Sequence, residues 1–245
     1  MPPRRPRPRP ASLDRRQALA ALGRLGAALV VGCGSAPEGP ACVLGPRLTA
    51  GPYWVDERLD RSDLRWDTHR LAAPDPRPGV PLTLDIRLLT PSEEGCRPLR
   101  GAQVDLWHCD ALGVYSDVPG TGTAGQNFLR GYQVTDAGGT VTFTTIYPGW
   151  YPGRAVHIHA KVRLFDPFAE VTTEVSTQLF FDDEVTDGVL ATAPYADRGP
   201  RDTRNAVDPV YRGQGALLVL LEGSPTAGYQ GEVALGVRVG EIQGA

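Results

Sequence analysis

The sequence predicts an all-β protein, namely an antiparallel β-sandwich of about seven to eight strands with long connecting loops. From about residue 80 onward, apolar and polar residues alternate with a period of two rather than 3.6, which is typical of half-buried strands. The 245 residues include 29 glycines and 23 prolines, so turns are frequent and long helices are disfavoured. Short strands separated by such turns are typical of sandwiches and barrels.

The predicted strands follow one another along the chain, separated by turn-rich segments. In the first, PLTLDIRLL, a leucine or isoleucine stands at every second position, which places these side chains on one face. The later strands are predicted in GAQVDLWH, TVTFTTI, RAVHIHAKVRLF, EVSTQLFF, ALLVLLEG and GEVALGVRV. Residues 183–213 are rich in turn residues and lack periodicity, so we expect a long loop there with about one helical turn.

The N-terminal residues have a different composition from the rest of the chain. Residues 1–32 contain seven arginines and one acidic residue, and Arg15-Arg16 precedes the apolar run QALAALGRLGAALVVG. This pattern predicts a twin-arginine-type export signal with a lipobox, in which Cys33 is the lipidated first residue of the mature protein. The alternatives are simple cleavage nearby and an amphipathic N-terminal helix of the domain.

The domain organisation follows from this boundary. We expect residues 33–50, which are rich in Gly, Pro and Ala, to form a tether, and residues 51–245 to form one domain. The protein is then an exported bacterial protein, either a membrane-anchored lipoprotein or a periplasmic or extracellular protein. Export permits disulfides, and Cys42, Cys96 and Cys109 allow one bridge and one remaining thiol whose identity the sequence leaves open.

The charge balance limits the partners of the mature part. The leader removes seven of 25 basic and one of 28 acidic residues, which leaves 18 basic and 27 acidic residues. Lys161 is the only lysine in the chain. An acidic body without a basic run argues against nucleic acid as a partner.

Two of the four histidines, His157 and His159, stand at alternate positions of one predicted strand. Their side chains therefore share a face, with Cα atoms about 6.6 Å apart at a rise of about 3.3 Å per residue. Two neutral imidazoles in this arrangement can converge on one metal ion. The alternative for this H-x-H pair alone is two solvated histidines on the polar face of an edge strand.

Two tyrosines in neighbouring turns change the interpretation of the histidine pair. Tyr151 lies six residues before His157 across a glycine-containing turn, and Tyr115 follows the strand that ends in LWH. A phenolate is a hard anionic ligand, so two tyrosines with two histidines indicate ferric iron rather than zinc or copper. The metal has to ionise phenols whose ordinary pKa is about 10. Each tyrosine taken singly can also be a half-buried aromatic residue with a hydrogen-bonded hydroxyl.

Several motifs carry a resemblance to a known family. In chain order these are GPYW, VDLWHCDALGVYS, FLRGYQVTDAGGTVTFTTIYPGWYPGRAVHIHAKV and TQLFF. Over about residues 42–182 the sequence resembles the intradiol ring-cleavage dioxygenases, the family of catechol and protocatechuate dioxygenases. The resemblance implies O2-dependent cleavage of a small aromatic diol of the catechol type to a cis,cis-muconate-type product.

The same resemblance implies roles for individual residues. It implies one non-haem Fe(III) per chain, with Tyr115 as the tyrosine that stays bound and Tyr151 as the one that substrate displaces. Tyr147 is the rival for this second position. The resemblance implies that the remaining metal ligands are His157 and His159. It places Arg154 and Gln178 beside the substrate ring. It also implies that Tyr53 and Trp150 line the pocket.

The sequence also departs from the characterised cytoplasmic enzymes of that family. The linker between Tyr151 and His157 is short, and an N-terminal helical dimerisation domain of the catechol dioxygenase kind is missing. A short linker suggests an open pocket that accepts bulky or varied catechols, while the oligomeric state stays undetermined.

Two other function classes compete with the dioxygenase interpretation. A cupin requires a carboxylate about four residues after the second histidine, but position 163 is Arg163 and the next glutamate is Glu170. A non-enzymatic exported β-sandwich lipoprotein that binds an aromatic compound, a sugar or a protein is the second alternative. A complete set of two tyrosines and two histidines disfavours it.

Overall fold

The structure, a computed structural model, describes residues 44–69, 76–211 and 217–243. The chain divides into two units, Met1–Pro37 and Glu38–Ala245, and every described residue belongs to the second. The predicted export signal and Cys33 lie outside the described residues. Within the described ranges, no helix combines the length and apolar character needed to cross a membrane.

Ten strands of the described chain form two five-stranded sheets. The first sheet contains β1 (Pro81–Ser92), β2 (Gly95–Pro98), β5 (Thr140–Ile146), β9 (Leu220–Ser224) and β10 (Gly228–Gly236). The second sheet, in the order β4-β3-β6-β7-β8, contains β3 (Gln103–Trp107), β4 (Arg130–Val134), β6 (His157–Phe165), β7 (Val171–Phe180) and β8 (Leu217–Leu218).

The two sheets confirm the predicted sandwich, but both sheets are mixed. In the first, β1 is central: its first half pairs with β5 and its last four residues with β2, both antiparallel, while β10 runs parallel to it. In the second, β8 runs parallel to β7. Alternation along a strand indicates which side chains share a face, but not which strand lies beside it or in which direction that strand runs. The sequence therefore did not predict these two parallel pairings.

The core lies between the sheets and uses the alternation seen in the sequence. Buried apolar side chains of β1, such as Leu84 and Ile86, meet those of the second sheet, such as Leu106 and Ile158. Each of these four side chains is at most 1% exposed. Burial of apolar surface by both inner faces therefore holds the sandwich together.

The outer face of β6 is polar, yet it is buried as well. The covering segment, residues 48–56, crosses over this face. The backbone N–H of Leu48 donates to Ser176 on β7, the Trp54 ring lies 4.4 Å from the Lys161 ammonium, and Asp56 pairs with Arg163. Because of this cover, polar residues at the start of β6 lie in a largely dry environment.

Two boundaries differ from the sequence prediction. Residues 44–50, expected to be part of the tether, are attached to the domain: Leu44 pairs with Gly236, and Leu48 is buried. In the expected loop 183–213, the chain forms a two-turn helix, α1 (Asp183–Leu190), and two short 3-10 helices, Tyr195–Arg198 and Asn205–Val207. The N-cap explains α1, because the Asp182 side chain accepts hydrogen bonds from the backbone N–H groups of the first turn.

The cysteines separate into two kinds. Cys96 is disulfide-bonded, whereas Cys109 is a buried free thiol. Burial raises the pKa of the Cys109 thiol far above its ordinary value, so it stays protonated and unreactive. Cys42 and Cys33 lie outside the described residues.

The contribution of the core can be tested with one substitution at two positions. Leu84→Ala on β1 removes a fully buried side chain, and we expect a loss of about 2–5 kcal/mol in the free energy of unfolding. Leu220→Ala on β9 of the same sheet removes a side chain that is 73% exposed, and we expect a change within about 0.5 kcal/mol. Denaturant unfolding measures both, and equal losses contradict this description of the core.

Candidate metal centre

The two histidines predicted to share a face come together at the start of β6. Their Nε2 atoms lie 3.1 Å apart, and His157 and His159 are only 2% and 1% exposed. Metal–nitrogen bonds are about 2.0–2.1 Å long, so nitrogens at this separation can both contact one ion. The two histidines are therefore buried side by side rather than solvated.

His157 has a defined tautomer. Its Nδ1 lies 2.6 Å from the Ala155 carbonyl oxygen, which can only accept, so Nδ1 carries the proton and Nε2 has a free lone pair. Burial, and then the nearby Arg154 cation, lower the pKa of His157 to about 3. The ring is therefore neutral and able to bind a metal at physiological pH.

His159 is held by packing instead of by a hydrogen bond at Nδ1, an atom without a partner among the described residues. Trp107, directly opposite on β3, stacks on its ring at a centroid distance of 4.9 Å and an angle of 7°. On the other side, a Cβ added at Gly51 would lie 3.2 Å from His159 Cε1. Gly51 also has a φ of +71°, which favours glycine. Burial, and then the neighbouring His157, lower the pKa of His159 well below its ordinary value.

Both predicted tyrosines lie at this pair. The Tyr151 hydroxyl is 3.2 Å from His157 Nε2, and the Tyr115 ring lies 5.6 Å from the Tyr151 ring and 6.2 Å from the His159 ring. Tyr115 is 4% exposed, and its hydroxyl oxygen is buried without a hydrogen-bond partner in the described part of the chain. Burial raises the pKa of Tyr151 to about 12 and that of Tyr115 well above its ordinary value.

These donors fit a hard metal ion. Two neutral nitrogens and two phenols point into one buried space, and an unpaired buried hydroxyl is costly unless something binds it. A positive ion offsets the burial that keeps the phenols protonated. Within the described ranges, no group of three or more His, Cys, Asp or Glu side chains could hold a metal ion, so a carboxylate-rich or thiolate site is not present there.

Arg154 and Gln178 lie beside the metal-ligand candidates. Gln178 on β7 is directly opposite His159, and its Oε1 accepts a hydrogen bond of 2.5 Å from Arg154 Nη2. Its Nε2 donates to the backbone oxygen of Thr49 in the covering segment. Arg154 Nε donates to Asp208 at 2.9 Å. A fixed cation therefore stands at the edge of the site.

A family model described as Dioxygenase matches residues 49–198, more than half of the chain. The structure of a dioxygenase domain from Streptomyces sp. SirexAA-E, part of a dioxygenase carbohydrate-binding protein fusion, is 30% identical with a TM-score of 0.56 and covers 80% of this chain and 99% of its own. This chain belongs to the intradiol ring-cleavage dioxygenase family.

Other solved structures agree with the family. An intradiol ring-cleavage dioxygenase from Tetranychus urticae is 28% identical, with a TM-score of 0.64, and covers 81% of this chain and 94% of its own. The 3-chlorocatechol 1,2-dioxygenase of Rhodococcus opacus 1CP is 21% identical, with a TM-score of 0.53 and coverage of 78% and 71%, and shows the same fold. A comparison with curated proteins finds no match. The chain is therefore an intradiol ring-cleaving oxidoreductase, as the sequence predicted.

The sequence left Tyr147 and Tyr151 as rivals for one position and grouped Tyr53 with Trp150, but in the structure of this intradiol dioxygenase the members of each pair have different surroundings. Tyr147 lies in the main core with its hydroxyl bonded to Thr186, away from the histidines, so Tyr151 is the tyrosine brought to His157. Tyr53 stacks on Tyr115 with ring centroids 4.4 Å apart. Trp150 instead donates to the Gly199 carbonyl and packs against the core.

Two further residues of the dioxygenase site were missed by the sequence analysis. Arg130, 2% exposed, donates to both the side chain and the backbone oxygen of Ser116 and to the backbone oxygen of Tyr53, so it fixes the turns that carry Tyr115 and Tyr53. Its place in the motif FLRGYQ was the available signal. Asp208 holds Arg154, and no motif pointed to it.

His108, adjacent to the aromatic cluster of this enzyme, is a structural residue. Its Nδ1 donates to the Cys109 carbonyl, and Nε2 accepts from the Thr145 hydroxyl, at 2.8 and 2.7 Å. Burial lowers the pKa of His108 from 6.5 to about 4. The neutral ring is thus part of the folded structure.

This pKa predicts a pH dependence of stability. Between pH 6.5 and 4 the unfolded chain binds a proton at His108 that the folded protein does not, so the free energy of unfolding falls with falling pH, by about 3 kcal/mol in total. Denaturant unfolding of His108→Gln over this range should show a correspondingly smaller loss. His157 and His159 lower the free energy of unfolding equally in wild type and in His108→Gln, so their contribution cancels when the two proteins are compared. Parallel curves for the two proteins contradict the assignment.

Proposed function

We propose that the chain is a non-haem Fe(III)-dependent enzyme that cleaves a catechol-type aromatic between its hydroxyl-bearing carbons with O2. The product is of the cis,cis-muconate type. The observation that carries the proposal is the convergence of two neutral imidazole nitrogens and two phenols in one buried space, in a chain of this family. Members of the family are typically iron-dependent, and hard phenolate ligands favour ferric iron.

In this proposal Tyr115, Tyr151, His157 and His159 hold one iron per chain. Tyr115 is buried against Tyr53, which suits the tyrosine that stays bound. Tyr151 is only half-buried, which suits the tyrosine that the incoming diol displaces. Bound Fe(III) supplies Lewis acidity, which stabilises phenolates and draws electron density from a coordinated catechol.

The protein residues divide the remaining tasks. The Tyr151 oxygen would accept a proton from the diol, which would make Tyr151 a neutral phenol. Arg154, held by Gln178 and Asp208, stabilises negative charge that develops on the ring, and it needs no reorganisation to do so. The covering segment, which includes Gly51, keeps water away from the far side of His159.

The proposed substrate is a small aromatic diol together with O2, and the short Tyr151–His157 linker supports an open pocket that accepts substituted catechols. The solved relatives act on such rings by their names, including 3-chlorocatechol for the Rhodococcus opacus enzyme. We also propose that residues 1–32 direct export, with lipid attached at Cys33 and residues 33–43 within the tether. The twin arginines and the lipobox support this part of the proposal.

The ligand set can be tested by visible absorption. The iron-loaded protein should show a broad tyrosinate-to-iron charge-transfer band that shifts when catechol is added. Tyr115→Phe removes one phenolate and should abolish or strongly shift the band. Tyr147→Phe, a substitution of the core tyrosine, should leave the band unchanged. A protein that stays colourless after ferric reconstitution contradicts the iron proposal.

The reaction can be tested by isotope labelling. With catechol and 18O2, mass spectrometry should find both labelled atoms in a ring-opened dicarboxylic acid, because a dioxygenase places both atoms of O2 in its product. An unchanged ring, or a product with one carboxylate and one aldehyde from cleavage beside the diol, argues against the proposed reaction.

A further inference from the structure

Asp208 is a buried carboxylate that the proposed chemistry does not use directly. Its side chain is 0% exposed, and it immediately follows the 3-10 helix Asn205–Val207. This position lies beyond residues 49–198, which the family model matches. Since a buried carboxylate is costly unless it is paired, its surroundings need an explanation.

Four N–H groups donate to this carboxylate. Oδ2 accepts from Arg154 Nε at 2.9 Å and from the Ala155 backbone at 2.7 Å. Oδ1 accepts from the backbones of Val210 and Tyr211 at 2.7 and 2.8 Å. Burial alone would raise the pKa of Asp208, but the Ala155 and Arg154 hydrogen bonds outweigh it and lower the pKa. The carboxylate is thus ionised, and both oxygens are fully used.

These bonds connect two parts of the candidate site. On one side, Ala155 carries the carbonyl that accepts from His157 Nδ1. On the other, the Tyr211 ring meets the edge of Phe180 at 5.1 Å, and Phe180 packs against His157 at 5.8 Å. Asp208 therefore ties the 208–211 segment to the start of β6.

The Arg154 guanidinium is held at two of its three nitrogens. Nε is bound by Asp208 and Nη2 by Gln178, while Nη1 makes no hydrogen bond within the described residues. A planar guanidinium that is held at two nitrogens has lost the rotamer freedom of a free arginine side chain before substrate arrives. Donors placed in advance contribute most to stabilising charge in a transition state.

We propose that Asp208 is a positioning residue, which fixes the Arg154 fork so that its Nη1 faces the substrate ring. This inference rests on the proposed function. If the Asp208 carboxylate only held the 208–211 segment in place, its removal would lower the stability of the fold. If it positions Arg154, its removal lowers the turnover rate.

The decisive variant is Asp208→Asn. The amide keeps the size of the side chain and one acceptor oxygen, but its N–H donors oppose those of Arg154 and Ala155. We expect kcat to fall by about 10–100-fold, because a displaced Arg154 cation stabilises the developing charge less well. Anaerobic catechol Kd should change less than about threefold, because the ligands themselves are untouched. Iron content and the charge-transfer band should match wild type.

Asp202→Asn is the matched control. Asp202 lies six residues before Asp208 and also accepts from a backbone N–H, that of Gly153, but it is exposed and makes no hydrogen bond or ion pair with Arg154 among the described residues. Its variant should have wild-type kcat and Kd. An equal loss of kcat in Asp202→Asn and Asp208→Asn overturns the inference, as does loss of iron in Asp208→Asn.

A double-mutant cycle tests whether Asp208 acts through Arg154. Arg154→Gln should lower kcat by about 10²–10³-fold, and adding Asp208→Asn should cause no further loss. Multiplicative losses overturn the inference. A wild-type protein without the visible band or turnover overturns the proposed function instead.

Arg154→Lys keeps the test decisive if Asp208→Asn does not fold. A lysine ammonium can pair with Asp208, but it lacks the planar fork that joins Asp208 to Gln178. Its kcat should therefore be as low as that of Arg154→Gln, and a rate near wild type contradicts the positioning role.

Discussion

Burial of the polar outer face of β6 is the constraint on which the site depends. Alternate residues of this strand face away from the core, and the covering segment encloses them instead of leaving them to water. A dry environment keeps the imidazoles of His157 and His159 neutral, which is the form that binds a metal. The same burial makes ionisation of Tyr115 and Tyr151 costly, so phenolates at this point require a cation beside them.

Each ligand candidate is held by a different kind of contact. A carbonyl fixes His157, whereas Trp107 fixes His159 by stacking. Arg130, through its bonds to the turns that carry Tyr53 and Tyr115, places one phenol and the aromatic wall beside it. Rigid strands and hydrogen-bonded turns thus bring the four ligand candidates of the proposed site close together.

The charged side chains of Arg154 and Asp208, beside the candidate metal centre, are paired with each other. Within the described residues, the acidic group that touches Arg154 is Asp208, and its charge is matched by that arginine and by three backbone N–H groups. The described part of the chain contains no group of three or more His, Cys, Asp or Glu side chains that could hold a metal ion. In the proposed function, the chemistry of this intradiol dioxygenase would depend on phenols, imidazoles and the Arg154 cation.

The sequence alone identified most residues of the candidate site, because local strand geometry determines which side chains lie on the same face. A rise per residue and a period of two place His157 and His159 on one face, and the motifs around Tyr115, Tyr151, Arg154 and Gln178 identified residues that the structure brings together. Contacts between distant segments depended on tertiary packing. The sequence pattern did not predict three such contacts: the parallel pairing of β1 with β10, the core position of Tyr147, and the hydrogen bond between Asp208 and Arg154, 54 residues apart. Each depends on where another segment of the chain packs, and this leaves no periodic pattern in the sequence.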